Sequence, residues 1–207
     1  MDNRPSCPIC KTPNVNRSAS GSNTLEFTCP RCGRFQIQTL AETELRNARP
    51  AFPPLHILSG LCRNTWDLLG EKLLITVDLF KSWDELGKAA QIPIPRDTDP
   101  ALKGEYLMRF IKRKTRTFAD PFTFSQNELA TGFCANRHEL DFCLRILVEK
   151  GFIEESRPQP QGAKGRPQQS QEGLTYFLTP AGWAALESAK IPASAPAAAH
   201  AAPTAAV

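Results

Sequence analysis

The chain lacks the features that mark several large classes of protein. No apolar run approaches the roughly 20 residues that a membrane-spanning helix requires. Its first residues show no basic segment followed by an apolar one, so we expect no signal peptide. It has only three histidines, no glycine-rich phosphate loop and no Ser/His/Asp or Cys/His set within a supporting motif. We therefore expect a cytoplasmic protein with no membrane contact, no enzymatic activity and no small-molecule substrate.

Cysteine, by contrast, is well represented and carries a pattern. The 207 residues contain seven cysteines, and four of them form two C-x-x-C pairs: Cys7, Cys10, Cys29 and Cys32. An odd number of cysteines arranged in such pairs indicates a reducing compartment and metal binding in preference to disulfides. Cys62, Cys134 and Cys143 lie on apolar faces of predicted helices, and we expect them to be small buried side chains.

The spacing of the paired cysteines predicts a zinc ribbon. Eighteen residues separate the two pairs, and Gly33 after the second pair allows a sharp backbone turn. About 40 residues cannot build an adequate core alone, so metal binding must supply folding free energy. Four protein ligands leave no open coordination position, which predicts a structural zinc ion. Iron or an iron–sulfur cluster is the other metal that suits four thiolates. A pair of redox C-x-x-C sites is the competing interpretation, but the βαβ setting of thioredoxin-type sites is missing.

Apolar periodicity predicts two helices and a strand after the ribbon. The first helix covers 55–69, with Pro54 suited to its start and Gly70 to the position past its end. Residues 73–75 are a strand candidate. A second helix is expected over 77–90, capped by Thr76 and ended before Pro93.

The next helix, over 101–116, combines an apolar stripe with an excess of basic residues. Asp99 and Pro100 give it an N-cap and a proline at its first position. Six cations against the single acid Glu105 give a local charge of +5, more than the net charge of +4 for the whole chain. The cations are Lys103, Arg109, Lys112, Arg113, Lys114 and Arg116. Such an imbalance suits phosphates or an acidic partner protein better than a simple solvated face.

Further elements complete a recognisable order. A capping box at Ser125 and Glu128 starts a helix over 125–132, and a second helix covers 136–150. Strands are expected over 152–154 and 174–179, and a last helix from Pro180. Helix, helix, turn, helix, strand, long loop, strand, helix is the order of a winged helix-turn-helix.

The residues themselves resemble that family. The run ELATGFCANRHELDFCLRILVEKGFIEE resembles its second helix, turn, recognition helix and first wing strand. GLTYFLTPAGWAAL resembles the second wing strand and closing helix of MarR-type and related regulators. The resemblance covers roughly 99–189. The whole chain, with Leu58-Ser59-Gly60 in its first helix, resembles uncharacterised bacterial proteins and N-terminal modules of some proposed defence effectors, which implies a sensing or adaptor module.

Three regions could contact nucleic acid, two of them being the basic helix and the recognition helix. The basic helix offers Arg109, Lys112, Arg113, Lys114 and Arg116. On the expected recognition helix, Asn136 and Arg137 could reach base edges, but its acids balance its cations. Major-groove docking and a protein contact therefore both remain open for that helix.

The third region is the loop over 156–173, whose cations are Arg157, Lys164 and Arg166. Within it, Lys164-Gly165-Arg166-Pro167 is similar to the core of an AT-hook, with Lys in place of the motif's first Arg. Arginine suits a narrow A·T-rich minor groove, and a plain flexible wing is the alternative.

The sequence thus predicts an α+β chain: a small zinc ribbon, a mostly helical winged helix-turn-helix domain and a disordered Ala/Pro tail. The expected boundaries are 1–40 for the ribbon, 41–98 for a helical connecting region, 99–189 for the winged helix and 190–207 for the tail. The leading hypothesis is a non-catalytic zinc-binding regulator or sensor module that binds nucleic acid, with DNA favoured over RNA. The alternative is a protein-interaction adaptor of a bacterial stress or defence system.

Overall fold

The first half of the molecule is built on a small sheet. The computed structural model describes residues 5–47, 53–96, 99–117, 120–156 and 174–187. Strands β1 (Asn16–Gly21), β2 (Thr24–Cys29) and β3 (Gly33–Gln38) form an antiparallel meander, and β4 (Leu73–Ile75) joins β3 in parallel. Alternation along β3 buries Phe35 and Ile37, and the ring of Phe35 stacks on that of its cross-strand partner Phe27 at 5.4 Å.

Helices pack against this sheet. They are α1 (Thr39–Asn47), α2 (Leu55–Leu69), a 3₁₀ helix (Val77–Phe80) and α3 (Trp83–Ala90). The predictions of α2 and β4 are confirmed, and Gly70 ends α2 in the left-handed conformation, at φ 70°. Helix α1 was not predicted from the sequence, because its apolar stripe is too short to be distinguished from the ribbon pattern before it.

The prediction of one continuous helix over 77–90 is wrong. The chain forms the 3₁₀ helix first, and α3 then starts afresh with Ser82 as its N-cap. The Ser82 hydroxyl accepts a hydrogen bond from the Glu85 amide at 3.3 Å. Serine favours this capping position over one inside a helix, so α3 begins after Ser82. Thr76, the expected cap, precedes the 3₁₀ helix instead and makes no side-chain capping hydrogen bond.

The second half contains helices around a three-stranded sheet. Its elements are α4 (Pro100–Lys114), β5 (Phe122–Thr123), a second 3₁₀ helix (Gln126–Ala130), α5 (Arg137–Glu149), β6 (Ile153–Ser156), β7 (Thr175–Leu178) and α6 (Pro180–Glu187). The strands pair antiparallel in the order β5-β7-β6. Asp99 caps α4 as expected, and Asn136, which was not predicted as a cap, caps α5; the carboxylate and the amide oxygen each accept a backbone N–H at 3.0 Å. The helix predicted over 125–132 is the short 3₁₀ helix, opened by the expected capping box, and β5 was not predicted.

Buried side chains fall into two clusters. The first unites the ribbon with α1, α2 and α3, and also takes in Tyr106 of α4 and Phe133. The second joins α4, α5, α6, β6 and β7. The chain is therefore α+β, as expected. The expected disordered tail and the cationic loop between β6 and β7 lie outside the described residues, apart from Ser156 at the start of that loop.

Candidate metal centre and charged surfaces

The four paired cysteines converge at one end of the first sheet. Cys29 ends β2, Cys32 directly precedes β3, and Cys7 and Cys10 belong to a turn before β1. Lys11 and Gly33 follow the two pairs with φ of 62° and 75°, which reverses the chain after each pair. The Cys7–Cys32 sulfurs are 3.8 Å apart and the Cys10–Cys29 sulfurs 3.5 Å, and no disulfide joins them.

This geometry suits a metal ion held by four sulfurs. All four sulfurs lie within 4.8 Å of one another. Zinc–sulfur bonds of about 2.3 Å in a tetrahedron place the sulfurs about 3.8 Å apart. Within the part of the chain that the structure describes, this is the only group of three or more Cys, His, Asp or Glu residues with ligand atoms so close. The residues predicted as metal ligands are thus brought together.

The four thiols influence each other's protonation. The pKa of Cys7 is raised, first by its hydrogen bond with Cys10, whereas the hydrogen bonds from Cys29 and the other thiols lower the pKa of Cys10. Cys10 raises the pKa of Cys29, but Cys32 and Cys7 outweigh it and bring that pKa to about 7. Burial raises the pKa of Cys32. Metal binding would replace the protons that remain on the four thiols, because only thiolates bind the ion.

Polar atoms around the sulfurs come partly from the ribbon and partly from α2. The Cys32 amide donates to the Cys29 sulfur at 3.4 Å, and the Thr12 hydroxyl lies 3.0 Å from the Cys10 sulfur. The Ser59 hydroxyl lies 3.1 Å from the Cys32 sulfur and is buried. Ser59 thus joins α2 to the metal centre, a role that its position in the Leu58-Ser59-Gly60 run did not reveal.

The neighbouring Gly60 connects the same helix to the turn before α5. A Cβ at Gly60 would lie 2.3 Å from the Phe133 ring, so only glycine allows this approach. The Asn64 amide nitrogen donates to the carbonyls of both Gly60 and Thr131, at 2.9 and 3.0 Å. Phe133 itself is fully buried in the left-handed conformation, at φ 54°. One helix therefore contacts both the metal centre and the start of α5.

The cations of α4 contact acids that lie mostly on other elements. Arg113 pairs with Asp67 of α2 at 3.2 Å, and Lys112 lies 3.5 Å from Glu187 of α6. Lys103 is 1% exposed and pairs with Glu139 of α5. Arg109 faces Glu105 of its own helix at 3.5 Å.

The charge of +5 counted along 101–116 therefore overstates the positive charge that nearby acids do not offset. Lys114 lies 5.6 Å from the centre of the Phe110 ring, and Lys114 and Arg116 are both exposed. Among the described residues neither side chain forms an ion pair, although the Arg116 backbone amide donates to the Asp120 carboxylate at 2.6 Å.

The expected recognition helix α5 presents a mixed outer face. Arg137 bonds Asp141 at 2.8 Å and the Phe124 carbonyl at 3.0 Å, and the Asn136 side chain is occupied as the cap. His138, Arg145 and Phe142 are exposed, Phe142 by 51%. Arg157, Lys164 and Arg166 lie outside the described residues.

Cys62, Cys134 and Cys143 are buried, as expected. Burial raises the pKa of Cys62, and the charges of Cys29 and Cys10 raise it further. Cys134 and Cys143 hydrogen-bond each other, which raises the pKa of the first thiol and lowers that of the second.

Comparisons with known proteins add no relative to this description. No protein-family model matches the chain, and neither curated protein sequences nor solved structures give a match. No helix in the described ranges is long and apolar enough to cross a membrane.

Proposed function

We propose that this chain is a non-catalytic, zinc-binding regulator or sensor module that binds nucleic acid through a winged helix-turn-helix unit. The observation that carries the proposal is the arrangement of the second half. A 3₁₀ helix and a tight turn precede α5, and α5 is followed by two paired strands, β6 and β7. In winged helices this order places one helix and one strand-connecting loop beside the nucleic acid.

Zinc is the metal we propose for the four-cysteine centre. Four sulfurs in a tetrahedral arrangement suit zinc or an iron–sulfur cluster, and the ribbon's two turns hold them around a single point. With all four positions taken by protein, the ion would stabilise the ribbon and leave no place for a substrate. Ser59 and the Cys32 amide would then hold the sulfurs through hydrogen bonds.

The loop between β6 and β7 supports nucleic acid as the partner. It contributes Arg157, Lys164 and Arg166 against one acid, Glu172. On α5, the exposed Arg145 and His138 add donors to the same half of the molecule. Unpaired cations supply most of the non-specific affinity for a phosphate backbone.

The test is salt-dependent binding of the purified full chain to a random-sequence DNA duplex and to single-stranded RNA. We expect an affinity that falls steeply with salt and a stronger interaction with DNA. Replacing Arg157, Lys164 and Arg166 by glutamine should flatten the slope of log affinity against log salt by about three. Lys81→Gln with Lys88→Gln is the control, since these exposed lysines pair with acids of their own segment. Absence of binding to either nucleic acid at low salt would overturn the proposal.

A protein-interaction adaptor is the second candidate, and one observation favours it. Phe142 is half exposed on the outer face of α5, beside Arg145. Exposed aromatic and arginine side chains are enriched at the centres of protein interfaces. A chain that binds no nucleic acid at low salt would support this adaptor, plausible within a bacterial stress or defence system.

A further inference from the structure

A basic surface runs from the ribbon to the C-terminal half of α4, and we name it the junction surface. It comprises the cations Arg34, Arg63, Lys72, Arg113 and Lys114 and the carboxylates Glu26 and Asp67. The five cations come from β3, α2, the segment between α2 and β4, and α4. Only Arg113 and Lys114 belong to the basic helix that the sequence singled out.

Each carboxylate of the junction surface is shared by two cations. Glu26 accepts Arg34 on one oxygen at 2.9 Å and Lys72 on the other at 2.6 Å. A single oxygen of Asp67 accepts both Arg63, at 2.7 Å, and Arg113, at 3.2 Å. Five cations and two carboxylates leave a surplus of three positive charges.

Two aromatic rings, Trp66 and the buried Phe110, lie among these cations. The Arg34 guanidinium lies over the Trp66 ring at 4.8 Å, and Trp66 directly precedes Asp67 on α2. Around the Phe110 ring lie Arg63 at 5.6 Å, Arg113 at 5.9 Å and Lys114 at 5.6 Å. Such cation–π contacts help to hold the cations in place.

Arg113 and Arg34 are partly enclosed within this surface. Burial lowers the pKa of Arg113, Asp67 opposes this, and Arg63 and Arg109 lower the pKa further. A buried Nη1 atom of Arg113 and a buried Nε atom of Arg34 have no hydrogen-bond partner among the described residues. One cation for each carboxylate is enough to join α4 to α2. That structural role therefore does not explain why each carboxylate has a second cation.

We infer that the junction surface binds the phosphate backbone of a nucleic acid, as a second contact beside the winged helix. This inference rests on the proposed function. A line of guanidinium and ammonium groups with surplus charge and no base-reading groups suits a backbone contact, which is independent of sequence. An acidic protein segment is the competing occupant.

The test compares variants that change the charge of this surface in opposite directions. Arg34→Gln with Lys114→Gln should weaken binding of the full chain to DNA duplex and to RNA. The slope of log affinity against log salt should flatten by about two. Glu26→Gln frees Arg34 and Lys72 from their shared acid and should strengthen binding. Melting curves of each variant establish that it is folded.

Matched controls carry the same charge changes elsewhere. Lys81→Gln with Lys88→Gln removes two cations from the exposed 3₁₀–α3 segment, and Glu44→Gln removes one acid from α1. Larger effects at the junction surface than in the controls, of the predicted signs, support the inference. Equal effects at both places would show that binding depends only on the net charge of the chain, which would overturn the inference.

The remaining outcomes separate this inference from the proposed function. If the full chain binds nucleic acid and only the loop variant loses affinity, the inference fails and the proposed function stands. If the full chain binds neither DNA nor RNA at low salt, the proposed function fails and the inference fails with it. The full chain could instead bind polyglutamate but not nucleic acid, with the same dependence on Arg34 and Lys114. The junction surface would then bind an acidic protein segment, and the inference of a nucleic-acid contact would be overturned.

Discussion

Single residues of α2 connect the four-cysteine cluster to the rest of the molecule. Ser59 contacts the Cys32 sulfur, and Gly60 accommodates the ring of Phe133 on the other side of the helix. Leu58 is fully buried in the first core. The Leu58-Ser59-Gly60 run therefore has a physical reason at each position: one apolar contact, one hydrogen bond to a thiol and one close approach.

The change Gly60→Ala tests the close approach. The added methyl group would overlap the buried Phe133 ring, whose left-handed backbone limits its freedom to move. We expect a loss of about 1–3 kcal/mol in the free energy of unfolding, measured by denaturant titration.

Gly87→Ala is the matched control for that measurement. Gly87 lies in α3 with no atom within 4 Å of an added Cβ, so alanine should stabilise its helix by about 0.5–1 kcal/mol. Equal effects at the two glycines would contradict the packing described for Gly60.

At the scale of elements, the sequence predicts well what local chemistry determines. The ends of α2, α4 and α5 follow from Gly70, Asp99 and Asn136, which act within one turn of the helix. The cluster of four cysteines follows from spacing alone. Helix α1 and the two-residue β5 were not predicted because each is too short to show a clear period. Helix α1 packs against β3, and β5 pairs with β7.

The pairing of charged side chains was the property predicted least well from the sequence. Of six cations assigned to the helix over 101–116, four face acids, and Asp67, Glu139 and Glu187 lie 36 or more residues from their partners. No count along one helix detects such pairs. Conversely, Arg34 and Lys72 join Arg113 on one surface only because β3 packs against α2, which pairs with α4 through Asp67.

Removal of the metal should affect the two cores differently. The first core contains three of the four ligands together with residues of α1, α2 and α3, whereas the second begins at Leu107. We expect chelation to abolish amide hydrogen-exchange protection in β2, β3 and α2 while α5 and β7 keep theirs.

Restoration of protection on adding zinc back is the control for that experiment. Loss of protection in α5 and β7 together with the ribbon would contradict the division into two cores. It would show instead that the contact of Gly60 with Phe133 makes the whole chain one cooperative unit.

At the scale of the whole molecule, helix α2 contacts both the four-cysteine cluster and the helical second half of the chain. Tyr106 and Phe133 belong to the second half in sequence but pack in the first core, with their rings 4.9 Å apart. The ribbon is therefore not an appendage, and a protein that cannot fill its four-cysteine centre should lose much of its first core. The proposed binding surfaces depend on this arrangement, since α2 supplies Arg63, Trp66 and Asp67.

The most direct test of the account is the metal content of the purified full chain by native mass spectrometry. We expect one zinc ion per chain, lost in the variants Cys7→Ser and Cys32→Ser. Cys143→Ser, which changes a buried thiol outside the cluster, should keep the ion. A wild-type chain without metal, or a Cys7→Ser variant with undiminished zinc, would contradict the account.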